Sequence, residues 1–162
     1  AYSPDGAHLA CGCGSGGLTV LLADSLELKL ERRAGSSPLT AAAYSPDGRL
    51  LAMGDGAGYI RLYAVHGADG APEHSYLQAA CCARHTGGVT HLGWALDSST
   101  LRSNCHVLEL RFWDGERGAQ LLPDEHAARL AALEWTSGGC LYARETAGVH
   151  GVGPEGGGGG GG

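Results

Sequence analysis

Short apolar runs, each closed by Gly, Pro, Asp or Ser, follow one another along this chain. From His8 to Cys13 and from Leu18 to Ala23 the text reads as two strands joined by the turn Gly14-Ser15-Gly16-Gly17. Leu26 to Glu31 alternates apolar and charged residues with period two, which marks a half-exposed strand at the rim of a sheet. Leu39 to Tyr44 is apolar and small, as a buried innermost strand would be, and Leu50 to Gly54 and Tyr59 to Val65 supply two more strands. Within the last of these, Tyr59, Arg61 and Tyr63 fall on one face and Ile60, Leu62 and Ala64 on the other. His66 to His74 is a loop rich in Gly, Ala and Pro, and Ser75 to Ala83 reads as an outer strand. Val89 to Trp94, Thr100 to Cys105 and Leu108 to Trp113 continue the series. Asp124 to Leu133 holds enough Ala and Glu for a short helix, but its end, Leu130 to Trp135, resembles the earlier lead-in strands. A loop running into a strand is the expectation there. Two further short strands are expected within 140–152, and the glycine run 156–162 is expected to be disordered, having no side chain to bury.

The strands repeat. Residues 43–65 restate residues 1–23, forty-two positions on, with eleven of the 23 positions identical. Both copies open on Tyr-Ser-Pro-Asp-Gly, where Pro presets φ, Asp stabilises the bend and Gly permits positive φ. Tyr2, Tyr44, Trp94 and Trp135 mark four starts of a unit with about four short strands. Self-similarity at this period, in all-β text, points to propeller blades. The expected fold is all-β: a partial propeller of about three to three and a half four-stranded antiparallel blades. The expected boundaries are 1–37, 38–88, 89–128 and the start of a divergent unit at 129–155. Blade faces left bare at either end would give a poorly soluble, weakly stable isolated arc. A chain that opens inside a turn motif without an initiator Met reads as a fragment of a longer protein.

Composition narrows the function classes. Asp and Glu outnumber Lys and Arg 17 to 11, and ten of those eleven are scattered Arg. A nucleic-acid or anionic-membrane surface would need clustered basic residues, so neither partner is expected. No apolar run approaches the roughly 20 residues of a spanning helix. The six cysteines lack zinc-site spacing and sit in strand-like text, so they read as buried small hydrophobes in a reducing compartment. No nucleophile elbow, zincin or phosphate-loop motif occurs. Gly12, Gly14, Gly16 and Gly17 mimic a phosphate loop but join two strands, with no helix N-terminus to hold an anion. The chain therefore reads as a non-enzymatic interaction surface without a cofactor or metal.

Trp113-Asp114 has the form of the terminal dipeptide of Trp-Asp repeats. Resemblance to those repeats implies a relay of His, Ser or Thr, Asp and Trp inside each blade. His85, Ser103 and Trp113 match three of its members. The Asp expected near Cys105 to Leu108 is missing, so His85 reads as structural in a degraded relay. Trp94 and Trp135 are expected to be structural as well. Loops between outer and inner strands and between the two middle strands would share one rim. Ser36, Ser37, Asp55, Arg84, Thr86 and His106 fall on them and are the partner-facing candidates.

A narrower resemblance lies in Thr90-His91-Leu92-Gly93-Trp94, in Ser103-Asn104 followed by Leu108 to Trp113, in Glu134-Trp135-Thr136, and in the run Val149 to Glu155. Together with the Tyr-Ser-Pro-Asp-Gly openings, this ordered series resembles the echinoderm microtubule-associated protein-like family over most of the chain. The departures are Arg84 for a Gly before His, Val107 where an Asp is lost, and Gly153 for a Trp. The resemblance implies a cytoplasmic, cytoskeletal scaffold that binds microtubules, with tandem propellers after a basic, coiled-coil N-terminal region. The alternative reading is another intracellular Trp-Asp adaptor, in a ligase or trafficking assembly.

Overall fold

The computed structural model describes residues 1–65, 76–82, 85–136 and 140. Three antiparallel sheets follow one another in chain order. The first is β1 (His8–Gly12), β2 (Gly17–Leu22) and β3 (Leu28–Arg33). The second is β4 (Leu39–Tyr44), β5 (Leu50–Asp55), β6 (Ile60–Ala64) and β7 (Leu77–Cys82). The third is β8 (Val89–Trp94), β9 (Thr100–Cys105), β10 (Leu110–Asp114) and β11 (Gln120–Leu121). Each sheet is an up-and-down meander, and the fold is an all-β partial propeller. The expected loop 66–74 and the expected features beyond residue 140 lie outside the described residues.

The repeat in the text is a repeat in hydrogen bonding. Ser3 N–H bonds His8 C=O and Gly6 N–H bonds Ser3 C=O, both at 2.9 Å; Ser45 with Leu50, and Gly48 with Ser45, repeat this at the same distance. Asp5 Oδ1 accepts Ala7 N–H at 3.0 Å, and Asp47 Oδ1 accepts Arg49 N–H at 3.1 Å. The third copy, Ala95 to Thr100, keeps the backbone bonds, and Asp97 Oδ1 accepts Ser99 N–H at 2.9 Å. Gly6 and Gly48 both have φ of +72°, and Ser98 holds the same left-handed place at +61°.

Two interfaces between sheets form the core. Leu18 and Val20 of the first sheet meet Leu51, Met53, Tyr63 and Tyr76 of the second. Ala52, Ile60 and Leu62 from the opposite face of the second meet Val89, Trp94, Leu101 and Trp113 of the third. The period-two alternation of β5 and β6 thus divides their side chains between two neighbours. A glycine sits at each point of closest approach. A Cβ on Gly12 would lie 2.6 Å from Leu39 Cβ, and one on Gly54 would lie 2.7 Å from Val89 Cβ. Polar bonds also cross the second interface: Trp94 Nε1–H donates to Ala43 C=O at 3.1 Å, and Thr40 Oγ1 donates to Val89 C=O at 2.6 Å.

The segment expected to run as a loop into a strand is instead a helix, α1 (Pro123–Ala132). Pro stands in its first turn, followed by Asp124 and Glu125, which suit the positive end of the helix dipole. It buries no residue. Among the described residues no neighbouring strand offers Leu130 to Leu133 a ladder, so local propensity decides. Past the helix the chain meets the third sheet: Trp135 bridges Ala95, Leu96 N–H bonds Glu134 C=O at 2.8 Å and Thr136 N–H bonds Trp94 C=O at 3.0 Å. The cysteines also depart from a uniformly buried set: Cys82, Cys105 and Cys140 are buried, Cys11 is half-buried, and Cys13 and Cys81 are exposed.

Candidate functional site

The meander sends every loop to one of two rims. One rim carries the Tyr-Ser-Pro-Asp-Gly turns; the other carries the hairpins β1–β2, β5–β6 and β9–β10 with the links β3–β4 and β7–β8. The hairpin rim is stitched by backbone bonds from loop to loop. Leu39 N–H bonds Cys13 C=O, Gly56 N–H bonds Pro38 C=O, His85 N–H bonds Gly58 C=O and His106 N–H bonds Gly88 C=O, at 2.8 to 3.1 Å. Loops tied in this way form a rigid platform, the usual carrier of a binding surface.

The sequence-predicted residues divide on this rim. Ser36, Thr86 and His106 are exposed and Ser37 is half-buried, so these side chains reach the outer surface of the platform. Arg84 lies outside the described residues. Asp55 departs from the expected solvent-facing position: it is 1% exposed. Its Oδ1 accepts Ala57 and Tyr59 N–H at 3.0 and 2.9 Å, and its Oδ2 pairs with Arg61 at 2.7 Å. The carboxylate is spent holding its own hairpin. Three exposed apolar residues join the rim that the sequence reading did not single out: Tyr59 at 37%, Val107 at 48% and Leu108 at 61%. Their signal was local, since each adjoins a hairpin turn.

Behind the platform lies a buried polar chain. Trp113 Nε1–H donates to Ser103 Oγ at 2.7 Å, Ser103 Oγ meets His85 Nε2 at 2.6 Å, and His85 Nδ1 meets Glu109 at 2.9 Å. Trp113, Ser103 and His85 are fully buried. The relay that lacked its acid in the sequence is therefore complete: Glu109, on the far side of the turn from the missing Asp, supplies the carboxylate. Leu108 with φ of +66° turns the chain so that the longer Glu side chain reaches back. Indole N–H is a donor only. Ser103 O–H is then free to donate to Nε2, which leaves the proton on Nδ1 to donate to the carboxylate. The Thr86 hydroxyl, then Thr86 N–H, His85 and Arg111, hold the Glu109 carboxyl well below its usual range. Burial lowers His85 against the opposing pull of Glu109, so the ring stays neutral.

The other expected structural residues are placed as follows. Trp94 is fully buried at the second interface. Asp114 ends β10, its Oδ1 accepting Glu116 and Arg117 N–H at 3.2 and 2.9 Å. Trp135 is half-buried, with the Arg102 guanidinium 4.3 Å above its ring.

Charge separates the rims. Asp5, Asp24, Asp47, Asp97, Asp114 and Glu116 all lie at the Tyr-Ser-Pro-Asp-Gly end. On the hairpin rim Asp55 is paired with Arg61 and Glu109 with Arg111. Among the described residues no helix is long and apolar enough to cross a membrane.

Comparison with known proteins agrees with this architecture. A family described as the echinoderm microtubule-associated protein second beta-propeller matches residues 1–157. Echinoderm microtubule-associated protein-like 4 of Mus musculus is 32% identical over 155 residues, which is 96% of this chain and 15% of that protein. The 77 kDa echinoderm microtubule-associated protein of Lytechinus variegatus is 31% identical over 136 residues, 84% of this chain and 19% of that protein. The crystal structure of RRP9 WD40 repeats superposes with a TM-score of 0.67 at 17% identity, over 75% of this chain and 36% of that one. At that identity the last likeness speaks for the fold alone. The chain thus spans less than a fifth of the curated relatives named here.

Proposed function

Since the chain belongs to the echinoderm microtubule-associated protein family, as part of its second propeller, we propose that it is a non-enzymatic scaffold arc. Its hairpin rim presents a protein-docking surface in a cytoplasmic, microtubule-associated parent protein, and tubulin is the partner. One observation carries the choice of rim: Asp55 and Glu109 on the hairpin rim are each paired with an arginine, while Asp24, Asp47, Asp97, Asp114 and Glu116 gather at the opposite rim, where acids outnumber Arg49, Arg117 and Arg129. A partner with an acidic surface, as tubulin has, is repelled by the second and not by the first. Tyr59, Val107 and Leu108 provide the exposed apolar and aromatic area on which such contacts concentrate.

Co-sedimentation of the full-length protein with polymerised tubulin tests this reading. The protein is expected in the pellet at low salt. A Tyr59→Ala/Leu108→Ser variant should pellet less, and an Asp47→Asn/Asp97→Asn variant should pellet as well or better. No pelleting at low salt would favour the adaptor reading. Loss confined to the Asp variants would move the docking surface to the other rim.

A further inference from the structure

Cys105 has no part in the relay, yet it stands beside it. His85 Nδ1, Cys105 Sγ and Glu109 Oε2 all lie within 4.8 Å of one another, with Sγ 3.5 Å and Nδ1 2.9 Å from the same carboxylate oxygen. We propose that these three side chains are a zinc-class metal site, binding a borderline-soft divalent cation with a water as fourth ligand. The donor set mixes thiolate, imidazole and carboxylate, which Zn²⁺ accepts in tetrahedral geometry with bonds of about 2.0 to 2.3 Å. Donors around such an ion stand roughly 3.3 to 3.6 Å apart, so the two pairs that share Glu109 need shifts of about half an ångström or less, and His85 and Cys105, within 4.8 Å of each other, close onto the ion.

The surroundings favour a metal in three ways. The Glu109 carboxylate is fixed on both oxygens: Oε1 accepts from Thr86 Oγ1 at 2.7 Å and Arg111 at 3.2 Å, while Oε2 accepts Thr86 N–H at 3.0 Å and also faces His85 and Cys105. The far nitrogen of His85 is fixed on Ser103 Oγ, as metal-bound imidazoles are usually oriented from behind. Glu109 is 24% exposed on its side chain, which gives ion and water a way in beside the two buried ligands.

The protons balance. On binding, the ring proton leaves Nδ1 and the ring takes one up on Nε2, which then donates to Ser103 Oγ. That oxygen accepts from Trp113 on one lone pair and from Nε2–H on the other, and the Ser103 hydroxyl hydrogen, which had pointed at Nε2, rotates away. The Cys105 thiol proton goes to solvent, so one proton is released per ion.

The probes are ZnCl₂ and CoCl₂, titrated into the metal-free, reduced full-length protein. One equivalent of Co²⁺ should produce a thiolate-to-cobalt charge-transfer band with tetrahedral visible bands, displaced by Zn²⁺. Cys105→Ser leaves the relay intact; it should abolish the band and weaken Zn²⁺ binding by about tenfold or more, while Cys13→Ser leaves both unchanged. In the unmutated protein, Zn²⁺ should protect Cys105 from alkylation as mapped by mass spectrometry, a readout independent of any folding defect in the variant. A band that survives Cys105→Ser, a band lost with Cys13→Ser, or no protection of Cys105 would each overturn the assignment.

Discussion

Ser103 is where a single hydroxyl holds the third sheet together, and replacing it with Ala makes the sharpest prediction. Its Oγ is the shared partner of Trp113 Nε1 and His85 Nε2 at 2.7 and 2.6 Å, and all three residues are fully buried. Ser103→Ala removes one oxygen and strands both nitrogens where water cannot reach them. Each stranded buried polar group costs about 1–3 kcal/mol, so the variant should lose roughly 2–5 kcal/mol. That is a large share of a domain's usual stability of about 5–15 kcal/mol. The chain length of the bridge gives a second, stricter number. In a Trp113→Phe background the indole N–H is already gone, so Ser103→Ala strands only the histidine. The two substitutions together should cost about 1–2 kcal/mol less than the sum of the singles. Equilibrium urea unfolding of the full-length protein, followed by far-ultraviolet circular dichroism at the propeller transition, measures all four corners of the cycle. If Ser103→Ala costs under about 0.5 kcal/mol, or the pair adds within about 0.3 kcal/mol, the buried chain does not bear the stability argued for it.

Three further outcomes follow from the same geometry. Asp55→Asn turns an amide N–H toward Arg61 in place of a carboxylate oxygen, and should cost about 2–4 kcal/mol in the same urea assay; a neutral result would put Asp55 back among the free loop residues. Gly54→Ala drives a methyl into Val89, whose Cβ would lie 2.7 Å away, and should cost about 1–3 kcal/mol by overpacking, whereas Gly14→Ala, with nothing within 4 Å, should change little. Acidification should destabilise the fold in two steps. His85 is lowered from its ordinary value, so the unfolded chain binds its proton first and stability begins to fall below about pH 6.5. Glu109 is lowered too, so its contribution, full above about pH 4.3, is lost on further acidification. Thermal midpoints measured across that range should show the upper step vanish in His85→Gln.

Much of this architecture is written in local text. The Tyr-Ser-Pro-Asp-Gly turns, the glycine hairpins and the period-two strands depend on residues a few positions apart, so reading them needs no knowledge of neighbours. The two faces of β6 also follow from alternation alone, with Ile60 and Leu62 on one and Tyr63 on the other. The sequence by itself therefore determined a repeated antiparallel sheet unit and the residues that begin each copy. Three features lay beyond it, each for the same reason. Glu109 completes the relay because a left-handed turn at Leu108 swings a longer acid back to His85, a side chain from another loop. Asp55 is buried because Arg61, across its hairpin, and two amide donors close over it. Residues 123–132 form a helix because no adjoining strand among the described residues competes for them. In each case the outcome turned on which groups met in space and which found no partner, and only the packed sheets decide that.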